Sequence, residues 1–281
     1  MSFKDVLIAL TTYPERTPNS GIESAVQLAT ALGARASAIA CEVRVPAPGS
    51  PLGTALLNVP ALVAAELRKS VANAQDALAE FQDAADRNNV LQDTILEKCS
   101  TAEAPDLLTD YARLRDLTIV PMTDADGNER WYVETIIFGS GRPVVVLPPK
   151  PSAGSKPFDN VVIAWDFSRQ SSRAVADALP ILQRAKHVFI LTVTNEKIID
   201  TKRSGVELAK YLARHGVDVV LDIVDAAGRD IGAVFRSHIQ LRNGDLLVMG
   251  AYGHSRFREF VLGGATRSML LNPPVPVFLS H

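Results

Sequence analysis

Two glycine clusters late in the sequence carry the residue types best suited to holding a phosphate. Gly250 follows directly on the apolar run Leu246–Met249, Gly253 comes three positions on, and after nine intervening residues come Gly263, Gly264, Ala265 and Thr266. Residues without a Cβ let backbone N–H groups approach an anion closely, and a helix opening near Gly264 adds unsatisfied N–H groups and the positive end of its dipole. The Thr266 hydroxyl is one further donor. The same spacing also suits tight turns between a strand and a helix, so the glycines by themselves leave both readings open.

A second candidate is Ala164-Trp165-Asp166-Phe167-Ser168, again at the end of an apolar run. A carboxylate at Asp166 would accept from a base amino group or a ribose hydroxyl, and contacts of that kind discriminate strongly once desolvated. Asp166 and Ser168 are equally suited to capping the helix that follows. His254 stands beside Gly253, within reach of a phosphate or a transferred proton, although a loop histidine is more often a solvated polar residue. Arg256, Arg258 and Arg267 bring positive charge to the same neighbourhood. Asp124 and Asp126 lack the residue order of a calcium loop and read as a surface turn. G-x4-GK[ST], G-x-S-x-G and HExxH do not occur, which removes the main support for a P-loop ATPase, an α/β-hydrolase or a zinc protease.

The elements that would position these residues alternate in type. In the second half, apolar runs at Val161–Trp165, Val188–Val193, Val217–Val224, Leu246–Met249 and Val275–Leu279 have the length and β-branched content of buried parallel strands. Helical spacing lies between them, as in Ala174, Ala178, Ile181 and Leu182, or Ile231, Val234, Phe235 and Ile239. Such alternation implies a mostly parallel sheet with right-handed crossovers and helices on both faces, whose ligands bind outside the carboxyl ends of the strands. The first half follows the same plan. Val6–Leu10, Ala36–Cys41, Leu117–Pro121 and Val144–Leu147 read as strands, and the stretch from Pro60 to about Arg87 as a long amphipathic helix.

A length of 281 residues suits two domains, and the segment after Leu147, rich in proline and glycine, divides the chain into expected domains at 1–150 and 151–281. The 29 basic and 31 acidic residues nearly balance, so no general field favours nucleic acid. Cys41 and Cys99 belong to no zinc-spacing pattern. No apolar run reaches membrane-spanning length and no signal sequence opens the chain, from which a cytoplasmic location with no membrane contact is expected.

The pattern G-x2-G-x9-G, placed after the fourth strand and before a last helix and a strand announced by Pro-Val-Pro-Val, resembles the nucleotide loop of the ATP-binding universal stress proteins. Gly250, Gly253 and Gly263 match it, while Gly264 stands where that family has Ser or Thr. Ala164–Ser168 is similar to the family's V-D-x-S segment. The resemblance implies two consecutive Rossmann-like domains of the adenine nucleotide alpha hydrolase type, each with a five-stranded sheet. It implies an adenine nucleotide (ATP, AMP or ADP, with Mg2+ as a candidate companion) against Ala164, Asp166, Ser168, Val193, Met249, Gly250, Gly253, His254, Gly263, Gly264, Ala265 and Thr266. It further implies a stress-associated regulatory binder with at most slow ATP hydrolysis, paired domains within the chain, and either a monomer or a homodimer. The first half departs from the family at its sites. Thr11-Thr12-Tyr13-Pro14 replaces the aspartate turn, and no G-x2-G follows Pro121, so a degenerate first domain is expected. The competing expectation is a module of the same fold that binds no nucleotide and acts through protein partners.

Overall fold

The computed structural model of the chain describes residues 2–44, 59–123, 129–150, 158–195, 201–252 and 264–281. These residues form two compact units, Lys4–Ser140 and Gly141–His281, the latter joined by the first three residues.

In the first unit β1 (Asp5–Ala9), α1 (Asn19–Leu32), β2 (Arg35–Arg44), α2 (Val59–Arg87), β3 (Leu91–Ser100), α3 (Ala104–Arg113), β4 (Leu117–Pro121) and α4 (Glu129–Gly139) follow in order. Its strands lie side by side as β3-β2-β1-β4, all parallel. Helices cover both faces of β1, β2 and β4, so Leu7, Ile8, Ile39 and Ile119 are fully buried. Strand β3 was absent from the sequence expectation. It is an edge strand, and its residues Leu91–Ser100 mix four apolar side chains with six polar ones instead of forming an apolar run.

The second unit contains β5 (Val144–Leu147), β6 (Asn160–Ala164), α5 (Arg169–Leu182), β7 (His187–Thr194), α6 (Thr201–Arg214), β8 (Val219–Asp225), α7 (Ile231–Leu241), β9 (Leu246–Gly250), α8 (Gly264–Leu271) and β10 (Val277–Ser280). Its strand order is β5-β10-β9-β6-β7-β8. Every neighbouring pair is parallel except β5 with β10, where Val144 stands opposite Leu279 and Val146 opposite Val277. Five strands therefore occur per half in chain order, but the fifth groups with the second unit.

One device recurs in both units. The residue just before the fourth strand is an aspartate that ties down the start of the first. Asp116 accepts from the Lys4 and Asp5 N–H groups at 2.8 and 3.1 Å. Asp245 accepts from the Phe158, Asp159 and Asn160 N–H groups at 3.1, 2.8 and 2.9 Å. Among the described residues no helix is long and apolar enough to cross a membrane.

Candidate functional site

In each unit the strand order reverses beside the first strand, β1 between β2 and β4 and β6 between β7 and β9. A crevice outside the carboxyl ends of the strands forms at such a reversal. In the second unit the reversal brings the two sequence candidates together, because Ala164 is the register partner of Met249. Ala164, Val193 and Met249 are buried at or beside the carboxyl ends of β6, β7 and β9.

Beyond Ala164 the Trp165 N–H donates to Leu191 O at 2.9 Å, continuing the ladder for one residue. Phe167 then takes a left-handed backbone, φ 59°, with its ring 62% exposed and edge-on to Trp165. The half-buried Asp166 carboxylate closes this turn by accepting the Ser168 N–H at 3.1 Å. Ser168 is the N-cap of α5, its Oγ accepting the Ser171 N–H at 3.1 Å. The capping role is thus divided. Ser168 caps the helix, and Asp166 shapes the turn from the rim of the crevice.

Gly250 is required for packing. A Cβ there would lie 2.4 Å from the Ser171 backbone nitrogen, because the end of β9 rests against the first turn of α5. Tyr252 also has a left-handed backbone, φ 57°, and its N–H donates to Thr266 Oγ1 at 3.2 Å. Thr266 is 3% exposed within the first turn of α8, so its oxygen joins the two ends of the glycine loop from inside. Gly264 opens α8 and is exposed, and an added Cβ would find only Ile231 Cγ2, at 3.9 Å. Ala265 is half-buried and Arg267 exposed. Gly253, His254, Arg256, Arg258 and Gly263 lie outside the described residues, as do Asp124 and Asp126.

The opposite rim is held by the end of β7. Asn195, φ 60°, donates its amide to Asp225 at 2.8 Å, and the same carboxylate accepts the Ala227 N–H at 2.8 Å. Helix α8 is seated on α7. Gly232 is so close that a Cβ would fall 1.8 Å from Ser268 Oγ, and Arg236 donates to that oxygen at 3.0 Å.

The corresponding crevice of the first unit is furnished differently. The end of β1 presents Thr11 and Thr12 in place of a carboxylate. The Thr11 N–H donates to Thr17 Oγ1 at 2.9 Å, and the Thr12 hydroxyl donates to Cys41 O at 2.6 Å. The helix that follows β4 opens with Glu129, which is 2% exposed. Its carboxylate accepts from the Thr123 hydroxyl at 3.1 Å. Burial pushes the Glu129 carboxyl above its ordinary range, and its own backbone N–H together with the Thr123 and Thr11 hydroxyls holds it back. A protein carboxylate therefore sits at the head of this helix. Sequence reasoning missed Glu129; the signal was an acidic residue at the opening of an apolar helix, a position that complements the dipole.

The model of the universal stress protein family matches residues 157–281. No curated protein matches the chain in sequence. Among solved structures, a universal stress protein from Archaeoglobus fulgidus superposes with a TM-score of 0.69 at 15% identity, covering 98% of this chain and 95% of that one. A putative universal stress protein from Pseudomonas aeruginosa gives 0.56 at 12% identity over 99% and 93% of the two chains. A second protein of that organism, described as functionally unknown, gives 0.58 at 13% identity over 99% and 92%. At these identities the likeness is one of fold, and it spans both units.

Proposed function

We propose that the second unit, where residues 157–281 match the universal stress protein family model, binds an adenine nucleotide in the crevice between β6 and β9 and serves as a stress-linked regulatory binder. The observation that carries the proposal is the pairing of Ala164 with Met249, which sets the start of the Asp166 turn beside the start of the glycine loop at the carboxyl ends of β6 and β9. In this reading Asp166 accepts from the nucleoside and the floor at Ala164, Val193 and Met249 takes the base. The N–H groups around Gly264 and Ala265 receive the phosphates. His254, Gly253 and Gly263 complete the loop. The nucleotide is held as a ligand, with hydrolysis slow at most, and the first unit, with Glu129 at its helix head, takes no second one. Mg2+ would accompany ATP on the solvent side of the phosphates.

Calorimetric titration of the nucleotide-stripped protein with ATP and Mg2+ tests this. One site per chain at micromolar affinity, about −8 kcal/mol, is expected. Gly264→Val supplies the control, because the side chain enters open space and leaves the fold intact while standing over the head of α8. Loss of binding in a variant of unchanged melting temperature supports the site. Unchanged binding, or no binding by the wild type, overturns it.

One observation favours the competing interaction-module reading. Gly250 and Thr266 are both engaged in holding the backbone together. On that reading ATP leaves the melting temperatures of wild type and Gly264→Val equally unmoved.

A further inference from the structure

The sequence contains two cysteines, 58 positions apart, and the fold of the first unit brings them together. Cys41 lies on β2 opposite Glu97, and Cys99 lies on β3 opposite Val43. The paired positions lie two places apart along each strand, so both thiols project from the same face of the sheet. Cys41 is 4% exposed and Cys99 5% exposed, and both are free thiols; as diagonal neighbours across β2 and β3 they can join only if the end of β3 shifts toward Cys41.

We propose that Cys41 and Cys99 form an oxidisable dithiol, which a hydroperoxide converts into an intrachain disulfide fastening the edge strand β3 to β2.

The two sulfurs have distinct parts to play. The neighbouring Cys41 thiol lowers the Cys99 thiol below its ordinary range, while Cys99 and burial raise Cys41. Cys99 is therefore the sulfur that carries thiolate character, and the thiolate is the nucleophile. It attacks the peroxide, the O–O bond breaks, one water leaves after proton transfer, and Cys99 becomes a sulfenic acid. Cys41 then attacks that sulfur, giving up its proton as the second water departs and the S–S bond forms. Two thiols lose two electrons in all, and one hydrogen peroxide becomes two waters.

Access follows from position. Cys99 is the penultimate residue of β3, which pairs only with β2 among the described residues and whose Gln92, Asp93, Thr94, Leu96 and Lys98 are exposed. The end of an edge strand is among the first places to open locally. The link would also reach the crevice of the first unit, because the Cys41 carbonyl accepts the Thr12 hydroxyl.

The test treats the reduced full chain with hydrogen peroxide, quenches it, and counts free thiols after denaturation. A fall from two per chain to none is expected, with no linked chains on a non-reducing gel, and dithiothreitol should restore both. Peptide mapping should join the Cys41 peptide to the Cys99 peptide. In Cys41→Ser, Cys99 should accumulate as a sulfenic acid captured by dimedone, and in Cys99→Ser, Cys41 should remain unlabelled. Should either variant fail to fold, the wild-type map decides alone. Two surviving thiols, a link between chains, or oxidation of each sulfur separately to the sulfinic acid overturns the proposal. None of these outcomes depends on nucleotide binding by the second unit.

Discussion

Asp245 illustrates how much one side chain can organise. Its carboxylate holds three consecutive backbone N–H groups at the entry to β6, and it does so while 6% exposed. Burial pushes its carboxyl up to about 6, the three N–H groups pulling the other way. A carboxyl whose folded value is raised lends stability that is complete below the unfolded value and fades as pH rises through the folded one. The expected result is that Asp245→Asn, which cannot accept from all three donors, costs about 2 kcal/mol in acid. The gap to wild type should narrow between about pH 4 and pH 7. Urea unfolding across that range measures it, and a gap that widens with pH would refute the argument. Asp166 was legible in the sequence because it ends an apolar run in a turn-forming context. Asp245 was not, and Glu129 showed only as an acidic residue opening an apolar helix, because what matters about them is which distant backbone or hydroxyl groups they meet.

At the scale of elements, the sequence reveals strands buried on both faces and obscures those at an edge. Strands β4 and β5 were expected at Leu117–Pro121 and Val144–Leu147 and occupy those residues, both being fully buried. Strand β3 escaped notice, and β8 was expected two residues early, because edge positions leave one face wet and dilute the apolar signal. The glycine loop was legible as a strand-to-helix connection, but not the means by which its two ends are held. Thr266 holds them, since its oxygen is the acceptor for the buried Tyr252 N–H. Thr266→Val keeps the shape and removes the acceptor, so a loss of about 1–3 kcal/mol is expected, largely recovered in Thr266→Ser. Thermal and urea unfolding of the three proteins provide the check; a valine variant as stable as wild type would show that the hydrogen bond is dispensable.

For the molecule as a whole, the fifth strand of the first half belongs to the second compact unit. Strand β5 covers the edge of β10, whose Val277, Phe278 and Leu279 are fully buried. An uncovered apolar edge is a template for pairing with another chain. Residues 151–281, lacking β5, should therefore dimerise by antiparallel pairing of two β10 strands. Sedimentation of this fragment checks it, and a monomer would mean that β10 needs no cover. The two-domain plan was visible in the repeated order of elements. The allegiance of β5 was not, because Val-Val-Val-Leu serves equally well beside any neighbour.

This pairing also sets a timetable for the ribosome. Strand β5 emerges roughly 130 residues before the strand it pairs with, and at ordinary elongation rates it waits about 10 s for that partner. During that interval four consecutive apolar residues are without the mate they will have in the finished protein. The residues on either side suit such a wait: Arg142 and Pro143 precede the strand, and Pro148, Pro149 and Lys150 follow it. Prolines and charges in those places resist extension of the strand into an aggregating ribbon, so the flanks protect the nascent chain until β10 arrives to claim its neighbour.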